Sequence, residues 1–502
     1  MKRSLFMSLF LCPPVLSCFE NIHDQAGSAL PPATITHDKY FASSAMKYLS
    51  TLLMLVCLAC TDTTEMPVDE PNTPGFQWLT AISGPGDEVT RGVTGDDQGN
   101  VYIAGSFTSS INIGSSTYRT KGMNDIFLAK LSAGGHAEWS RTFGSAGSDL
   151  AFDVDGDASG NHYVTGMFTQ SMQLPGGVIV SSEAEGDVFT AKISPSGVCE
   201  WVKIGHGPGT EYGNEANLTS DGHVLIIGPT DRGITFEDIQ LTNTDDQDVF
   251  VTKYTTAGNL RWAKLLAGAG RVSGRGISSD RSGNSLIAGS FSGTLSFGNQ
   301  NLIVNNSSSD VFIAKLDNSG TTIWARSFGD TGDDYARGID ADADGNIYVS
   351  GVFSGTVRFD TITLTSLSGS KDIFLLKLSP QGAVVWAQSV GGPGEEEGCE
   401  LEVNDSGDIF MSGSFAASMQ MGSATLAAAG QRDVFICRVS TTGKVQWARA
   451  AGGTQDDVNY AITLLRRNEE VVTVGTFSGV FFQAGRSIGS AGRFDSYVSK
   501  VK

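Results

Sequence analysis

Residues 324–351 read Trp-Ala-Arg-Ser-Phe-Gly-Asp-Thr-Gly-Asp-Asp-Tyr-Ala-Arg-Gly-Ile-Asp-Ala-Asp-Ala-Asp-Gly-Asn-Ile-Tyr-Val-Ser-Gly, and their landmarks recur along the whole chain. The leading tryptophan is one of only seven in 502 residues. Neighbouring tryptophans are 61 or 62 positions apart, and such regular spacing indicates one structural unit copied seven times. The seven are Trp78, Trp139, Trp201, Trp262, Trp324, Trp386 and Trp447.

The pattern within one copy is that of β-strands. Residues 346–353 and 372–378 are short runs of β-branched and aromatic residues, and Gly, Ser, Asp and Pro bound them. No copy contains a long apolar stripe with helical spacing. An Asp begins the second of these runs in every copy, at Asp125, Asp187, Asp248, Asp310, Asp372, Asp433 and Asp495.

The two ends of the repeat region complete each other. Each full copy predicts four strands, a to d, with an outlying hairpin between b and c. The last copy ends without strand d, whereas residues 76–82 form a strand d with no strand c before it. We therefore predict an all-β fold, a seven-bladed β-propeller over residues 76–502. Its blades have four strands plus an outlying hairpin, and the N-terminal strand closes the ring by completing the C-terminal blade.

The quoted stretch also resembles the bacterial β-propeller repeat known as the SBBP repeat and, more distantly, NHL-type blades. This resemblance covers residues 76–502. It implies a propeller architecture and an extracellular or surface location, which is common in that family. It brings no catalytic residues to carry over.

The first 75 residues have a different composition. Residues 46–60 have a basic start, a short apolar run and a small residue before Cys60, as in a bacterial lipoprotein signal peptide. We expect lipidation at Cys60, and residues 61–75 then form a flexible acidic tether. Residues 1–45 are interpreted as a misassigned start or an extra leader. The alternative is an ordinary signal peptide at the extreme N-terminus.

The chain carries 34 basic and 54 acidic residues, a formal charge of −20. A nucleic-acid partner is therefore not expected, because phosphate binding requires a basic face. The charge is compatible with solubility, with cation affinity or with a basic partner.

Binding residues are expected where the repeat is broken, because recurrent residues serve the scaffold. The third copy has Gly-Pro-Thr at 228–230 in place of the usual Gly-Ser-Phe, and the fourth has Arg-Val at 271–272 in place of an acidic pair. Drift in tolerant loops is the alternative explanation. The predicted binding patch consists of His206, Glu211, Tyr212, Asp231, Arg271 and Arg275.

Two acidic patterns raise the question of metal binding. The alternation Asp340, Asp342, Asp344 before a Gly is how a calcium loop begins, although the loop lacks its closing Glu. A strand end running into a hairpin turn is the favoured reading, with Ca²⁺ as the one cofactor considered. An acidic residue also stands ten positions after six of the tryptophans, and it would accept hydrogen bonds from turn N–H groups or bind cations. These residues are Glu88, Asp149, Glu211, Asp334, Glu396 and Asp457.

The sequence contains no convergent catalytic set, so we predict a protein that is not an enzyme. The favoured function is a monomeric, lipid-anchored scaffold in the cell envelope that binds or adheres to a protein or a glycan. Two alternatives stay open: an envelope assembly factor and an extracellular polysaccharide-active enzyme whose site is the central funnel.

Overall fold

The computed structural model describes residues 75–182, 185–242, 247–298, 300–304 and 308–502. The described residues form 40 β-strands and a 3-10 turn at Leu367–Gly369. No helix among them is long and apolar enough to cross a membrane. The predicted leader, the signal peptide with Cys60 and residues 61–74 of the tether lie outside the described residues.

The first three blades follow an N-terminal strand, β1 (Phe76–Ile82). Blade one contains β2 (Glu88–Gly95), β3 (Val101–Phe107), β4 (Ser110–Ile113), β5 (Ser116–Arg119), β6 (Asp125–Leu131) and β7 (Ala137–Phe143). Blade two contains β8 (Asp149–Gly156), β9 (His162–Phe168), β10 (Ser171–Gln173), β11 (Ile179–Ser181), β12 (Asp187–Ile193) and β13 (Cys199–His206). Blade three contains β14 (Glu215–Leu218), β15 (His223–Thr230), β16 (Ile234–Phe236), β17 (Ile239–Leu241), β18 (Asp248–Thr255) and β19 (Leu260–Ala269).

The remaining four blades repeat this order. Blade four contains β20 (Val272–Ser279), β21 (Ser285–Phe291), β22 (Thr294–Phe297), β23 (Gln300–Ile303), β24 (Asp310–Leu316) and β25 (Thr322–Phe328). Blade five contains β26 (Asp334–Ala341), β27 (Ile347–Ser354), β28 (Thr356–Phe359), β29 (Ile362–Thr365), β30 (Lys371–Leu378) and β31 (Val384–Val390). Blade six contains β32 (Glu396–Val403), β33 (Ile409–Met421), β34 (Ala424–Val439) and β35 (Val445–Ala451). Blade seven contains β36 (Val458–Leu465), β37 (Glu470–Phe477), β38 (Val480–Gln483), β39 (Arg486–Gly489) and β40 (Asp495–Val501).

Each blade is an antiparallel sheet in the predicted a-b-c-d order, for example β26-β27-β30-β31 in blade five. The inner strands β2, β8, β14, β20, β26, β32 and β36 contact one another in sequence, and β36 returns to β2. The seven-bladed propeller is therefore confirmed.

The N-terminal strand closes the ring as predicted. Strand β1 pairs antiparallel with β40, from Phe76 opposite Val501 to Ile82 opposite Ser496. Blade seven thus has the order β36-β37-β40-β1 and draws its strands from both ends of the repeat region. Backbone pairing between the two ends covers the edge that β40 would otherwise expose.

The outlying hairpins differ from the prediction in their attachment. The hairpin β16–β17 of blade three pairs with β13 of blade two, and β22–β23 of blade four pairs with β19 of blade three. In blade six no separate hairpin exists, because β33 and β34 simply continue outwards. A hairpin laid on a neighbour's outermost strand covers an otherwise exposed sheet edge.

The recurrent tryptophans join successive blades. The Trp324 indole Nε1–H donates to the Pro380 carbonyl oxygen (3.2 Å), and its ring lies against Gly382 in the next blade. Gly382 has φ +82°, which favours glycine in this turn between strands c and d. Equivalent bonds run from Trp78 to Ala133, Trp201 to Thr256, Trp262 to Asn318 and Trp386 to Thr441.

Candidate functional site

The seven inner strands enclose a narrow polar channel. Its two connected cavities measure about 160 and 270 Å³, and charged or polar side chains line most of both. Pockets for drug-sized ligands usually have roughly 300–1,000 Å³. The interior therefore suits water or ions better than an organic ligand. Its acidic lining consists of Asp96, Asp97, Asp153, Asp155, Glu215, Asp340, Glu400 and Glu402.

Several of these carboxylates hold adjacent blades together. Asp153 Oδ2 accepts a hydrogen bond from the Ala216 backbone N–H (2.9 Å), and Asp155 Oδ2 accepts one from Leu218 N–H (2.7 Å). Glu215 Oε2 accepts a hydrogen bond from the Ile277 backbone N–H (3.1 Å). The innermost strand is a sheet edge, so its N–H groups facing the channel need acceptors from outside the blade.

Burial shifts the protonation of the channel carboxylates. It raises the pKa of Asp153 well above its ordinary value, and it raises that of Glu402 to about 8. The pKa of Glu400 rises only to about 7, because Arg337 and Arg275 oppose the effect of burial. The positive charges of the channel arginines therefore offset part of the negative charge of the channel carboxylates.

Aromatic and cationic groups alternate at one end of the channel, where the inner strands begin. The Arg91 guanidinium lies 5.1 Å from the ring centre of Phe152 and 4.8 Å from that of Tyr460. Phe152 stacks in turn on Tyr212, with ring centres 4.9 Å apart. We call these four residues the channel mouth. The guanidinium is attracted to the negative ring faces of Phe152 and Tyr460. The contact between Phe152 and Tyr212 is aromatic stacking.

A basic groove lies beside the channel mouth, between blades four and five. Its volume is about 330 Å³, and Arg271, Arg275, Arg337 and Lys371 contribute four positive charges to its lining. Glu397 is the one carboxylate in that lining, and its Oε2 accepts a hydrogen bond from Arg432 Nη1 (2.6 Å). The lining of the basic groove therefore carries more positive than negative charge on an acidic protein, although Arg275 and Arg337 also face the charge of Glu400 in the channel.

Neutral polar groups complete the basic groove. The Tyr335 side chain and Ser273, Ser290 and Ser309 belong to its lining. Burial raises the pKa of Tyr335 and Asp333 adds to the effect, while Arg271 opposes it. The phenol is therefore a neutral hydrogen-bonding group at ordinary pH.

The structure brings part of the predicted binding patch together. Arg271 and Arg275 both line the basic groove. Arg271 Nε donates to Gln247 Oε1 (2.7 Å), and Gln247 Nε2 donates to Asp231 Oδ1 (3.4 Å), so Asp231 is linked to the basic groove. Tyr212 belongs to the adjacent channel mouth.

His206 and Glu211 form a separate cluster with Asp187 at the junction of blades two and three. His206 Nδ1 lies 2.9 Å from Asp187 Oδ2. Glu211 is buried, and burial followed by the charge of Asp187 raises its pKa to about 8. Glu211 therefore belongs to the packing of the junction, whereas His206 is partly exposed and lines a separate cavity together with Lys203 and Glu237. Neither residue lines the basic groove.

The three aspartates of the predicted calcium loop have separate surroundings. Asp342 accepts hydrogen bonds from the N–H groups of Asp344 and Asn346 and from the Tyr348 hydroxyl. Asp340 Oδ2 instead faces the channel edge of β32, where it accepts from Val403 N–H (2.8 Å). Within the described ranges no three His, Cys, Asp or Glu side chains form a cluster able to hold a metal.

The acids that follow the tryptophans by ten residues are buried between blades. They accept hydrogen bonds within the preceding turn, as Asp149 does from Ser145 N–H (2.8 Å) and Asp457 from Gly453 N–H (2.6 Å). The predicted role in the turn is therefore confirmed for these two residues.

Lys371 and Tyr335 of the basic groove, and most of the channel lining, are not identified from the sequence. One signal does exist for the channel. The residue sixteen positions after each Trp is polar in every copy, and it follows an apolar residue. These positions are Thr94, Asp155, Asn217, Ser278, Asp340, Glu402 and Thr463.

No protein-family model matches the chain. An uncharacterised WD repeat-containing protein of Acanthamoeba polyphaga mimivirus is 23% identical over 493 residues, which cover 85% of this chain and 32% of the viral protein. The chain thus spans less than half the length of that relative. Together with the seven-bladed architecture, this similarity supports a β-propeller repeat protein.

Solved structures show only distant likeness. A protein of unknown function from Dyadobacter fermentans has a TM-score of 0.41 at 10% identity, over 84% of this chain and 97% of that protein. The hydrazine synthase of Kuenenia stuttgartiensis has a TM-score of 0.44 at 10% identity, over 81% and 96% of the two chains. Likeness this distant carries no argument about function.

Proposed function

We propose that this β-propeller is a non-catalytic binding scaffold whose ligand is a glycan with an isolated acidic group. The observation that carries the proposal is the basic groove, which gathers four positive side chains on a chain of charge −20. Arginine matches the planar geometry of a carboxylate or sulfate and binds it with two parallel hydrogen bonds.

The composition of the basic groove favours a sugar over a purely ionic partner. Three serines and Tyr335 supply hydroxyl groups next to the arginines, and sugar hydroxyls require such donors and acceptors. A volume of about 330 Å³ lies at the small end of ligand pockets. It suits one acidic sugar residue, whereas the overall negative charge disfavours long polyanions.

The same lining argues against a glycan-cleaving enzyme. Glycoside hydrolysis usually employs two carboxyl groups on opposite sides of the scissile bond. The residues lining the basic groove include one carboxylate, Glu397, and Arg432 already binds it. Binding without cleavage therefore agrees best with this chemistry.

We also propose that the protein is exported and anchored to the cell envelope as a monomer through a lipid on Cys60. The support is the lipoprotein-like segment 46–60 followed by the polar tether. Mass spectrometry of the mature N-terminus tests this part. A mature chain that retains residues before Cys60, or that carries no lipid there, contradicts it.

Binding to an array of uronate-bearing, sulfated and neutral oligosaccharides tests the ligand class. We expect binding to acidic members, and a loss of about 100-fold when Arg271→Ala is combined with Arg275→Ala. Each charged hydrogen bond contributes roughly 1.5 kcal/mol, which corresponds to about tenfold in affinity.

Arg486→Ala is the matched control, because this exposed arginine lies in the outlying hairpin of blade seven. Its affinity should equal that of the unmodified protein. Equal binding to neutral sugars, or an equal loss in the control, would refute the proposed ligand. Co-purification with outer-membrane barrel proteins would instead support the assembly-factor alternative.

A further inference from the structure

Three arginines occupy the same position of the repeat, thirteen residues after a tryptophan, in blades one, four and five. They are Arg91, Arg275 and Arg337. Each is the extra residue of a β-bulge, because the residues on both sides of it pair with consecutive residues of the next strand and it pairs with none. A β-bulge turns its extra side chain out of the regular alternation of the strand. We call these three residues the bulge arginines.

The bulge arginines all line the cavity of about 160 Å³, which Phe152 and Tyr460 of the channel mouth line as well. Within the described ranges, Arg91 and Arg275 donate no hydrogen bond of ordinary geometry and form no ion pair. Burial lowers the pKa of Arg91 and the charge of Arg275 adds to this effect, whereas Tyr460 and Tyr212 oppose it. Two guanidinium groups that repel each other therefore face one cavity with N–H donors to spare.

Aromatic rings hold Arg91 in place without using these donors. Its guanidinium lies 5.1 Å from the ring centre of Phe152 and 4.8 Å from that of Tyr460. A ring face attracts the charge of a guanidinium, but it does not take the place of the oxygen acceptors that its five N–H groups require. The N–H groups of Arg91 therefore remain available to an oxygen-bearing anion in the cavity.

The acids of the same cavity cancel little of this charge in mildly acidic solution. Burial raises the pKa of all five, to about 7 for Glu400, where Arg337 and Arg275 oppose it, and to about 8 for Glu402. Most of their negative charge is therefore absent at pH 6. The five acids are Asp153, Asp155, Glu215, Glu400 and Glu402.

We propose that the channel mouth binds one small tetrahedral oxyanion, sulfate or phosphate, between Arg91 and Arg275. The guanidinium fork matches such an anion with paired, charge-assisted hydrogen bonds. The cavity of about 160 Å³ is smaller than pockets for drug-sized ligands, which start at roughly 300 Å³, so it favours the free ion over the same group on a sugar. Arg91 does not line the basic groove, so this site is additional to the glycan site proposed above.

Isothermal titration calorimetry of the full chain with sodium sulfate, at pH 6 and constant ionic strength, tests the proposal. We expect saturable binding of one sulfate per chain. Arg91→Gln should weaken this binding about tenfold, because it removes a charged hydrogen-bonding group. Arg493→Gln is the matched control, since its guanidinium also lies over a ring, 5.2 Å from the centre of Phe494, but does not line the cavity. Its sulfate affinity should equal that of the unmodified protein.

Circular dichroism shows whether Arg91→Gln folds. Arg91→Lys decides if it does not, because lysine keeps the charge between the rings but loses the paired hydrogen bonds, so it should also bind sulfate more weakly. No saturable binding by the unmodified protein at millimolar sulfate would overturn the proposal, and so would unchanged affinity in a folded Arg91 variant or an equal loss in Arg493→Gln.

Two further titrations separate the possible locations and sources of the anion. Arg271→Ala alters the basic groove but not the cavity of the channel mouth. If Arg271→Ala loses sulfate and Arg91→Gln keeps it, the anion lies in the basic groove, which overturns the mouth site and leaves the proposed function standing. Glucose 6-sulfate should bind more weakly than sulfate through Arg91. Equal Arg91-dependent affinity for the two would overturn the assignment to a free ion.

Discussion

Gly382→Ala tests the packing between blades directly. Gly382 has φ +82°, and an added Cβ would lie 3.0 Å from Trp324 Cδ2 and 3.1 Å from Cε2 and Cε3. Two costs therefore add in this variant. Alanine in the left-handed region costs about 1–2 kcal/mol. Crowding of the fixed indole ring adds about 1–3 kcal/mol, which is typical of an overpacked core.

Gly485→Ala separates the two costs. Gly485 has φ +77° and no atom within 4 Å of the added Cβ, so this variant carries the backbone cost alone. The difference between the two glycine variants measures the contact with Trp324. It should disappear when both are made in a Trp324→Ala background, because the ring that causes the crowding is gone.

Urea unfolding followed by circular dichroism gives the free energies, provided that the denaturant slope is unchanged among the variants. We expect Gly382→Ala to be less stable than Gly485→Ala by about 1–3 kcal/mol. Equal losses of unfolding free energy in the two variants would refute the claim that each indole ring packs against the turn of the next blade.

Three further outcomes are expected. Trp324→Ala should lower the free energy of unfolding by about 3–5 kcal/mol, and an unchanged urea midpoint would contradict the buried role of the ring. Removal of residues up to Ile82 should lower the melting temperature and promote aggregation, because β40 then has an unpaired edge; size-exclusion chromatography and calorimetry measure both, and a stable monomer would show that closure is dispensable. The melting temperature should fall as pH rises from 5 to 9, because burial and a neighbouring Asp raise the pKa of Glu88 to about 9 and that of Glu396 to about 8. The folded chain holds protons there that the unfolded chain has released, so stability present at low pH is lost through that window; a flat or rising profile would contradict the burial of these two carboxyl groups.

The architecture was predictable because its signals are local and repeated. The spacing of the tryptophans counts the blades, and the incomplete units at residues 76–82 and 495–501 indicate that the two ends pair. The hairpins were predicted less well. Whether a hairpin stands alone or adds to β13 or β19 depends on the reach of the neighbouring blade, which no single copy encodes.

The binding region was only partly predictable. Breaks in the repeat drew attention to Arg271 and Arg275, which do line one groove. The same reasoning included His206 and Glu211, because loops adjacent in sequence were expected to be adjacent on the surface. Glu211 is instead buried at a blade junction, and His206 lies partly exposed beside Asp187 at the same junction. Lys371 and Tyr335 come from a different blade and occupy ordinary positions of the repeat.

The sequence by itself determined the number of blades, the all-β class and the closure of the ring, because each follows from the spacing of repeated residues along the chain. Tertiary structure alone decided which charges meet. Residues about 62 positions apart become neighbours when successive blades pack around the channel, as Asp153 does with Ala216 and Glu215 with Ile277. Whether an acid is an ordinary surface charge or a buried group with a raised pKa depends on that approach, because removal from water disfavours the charged form.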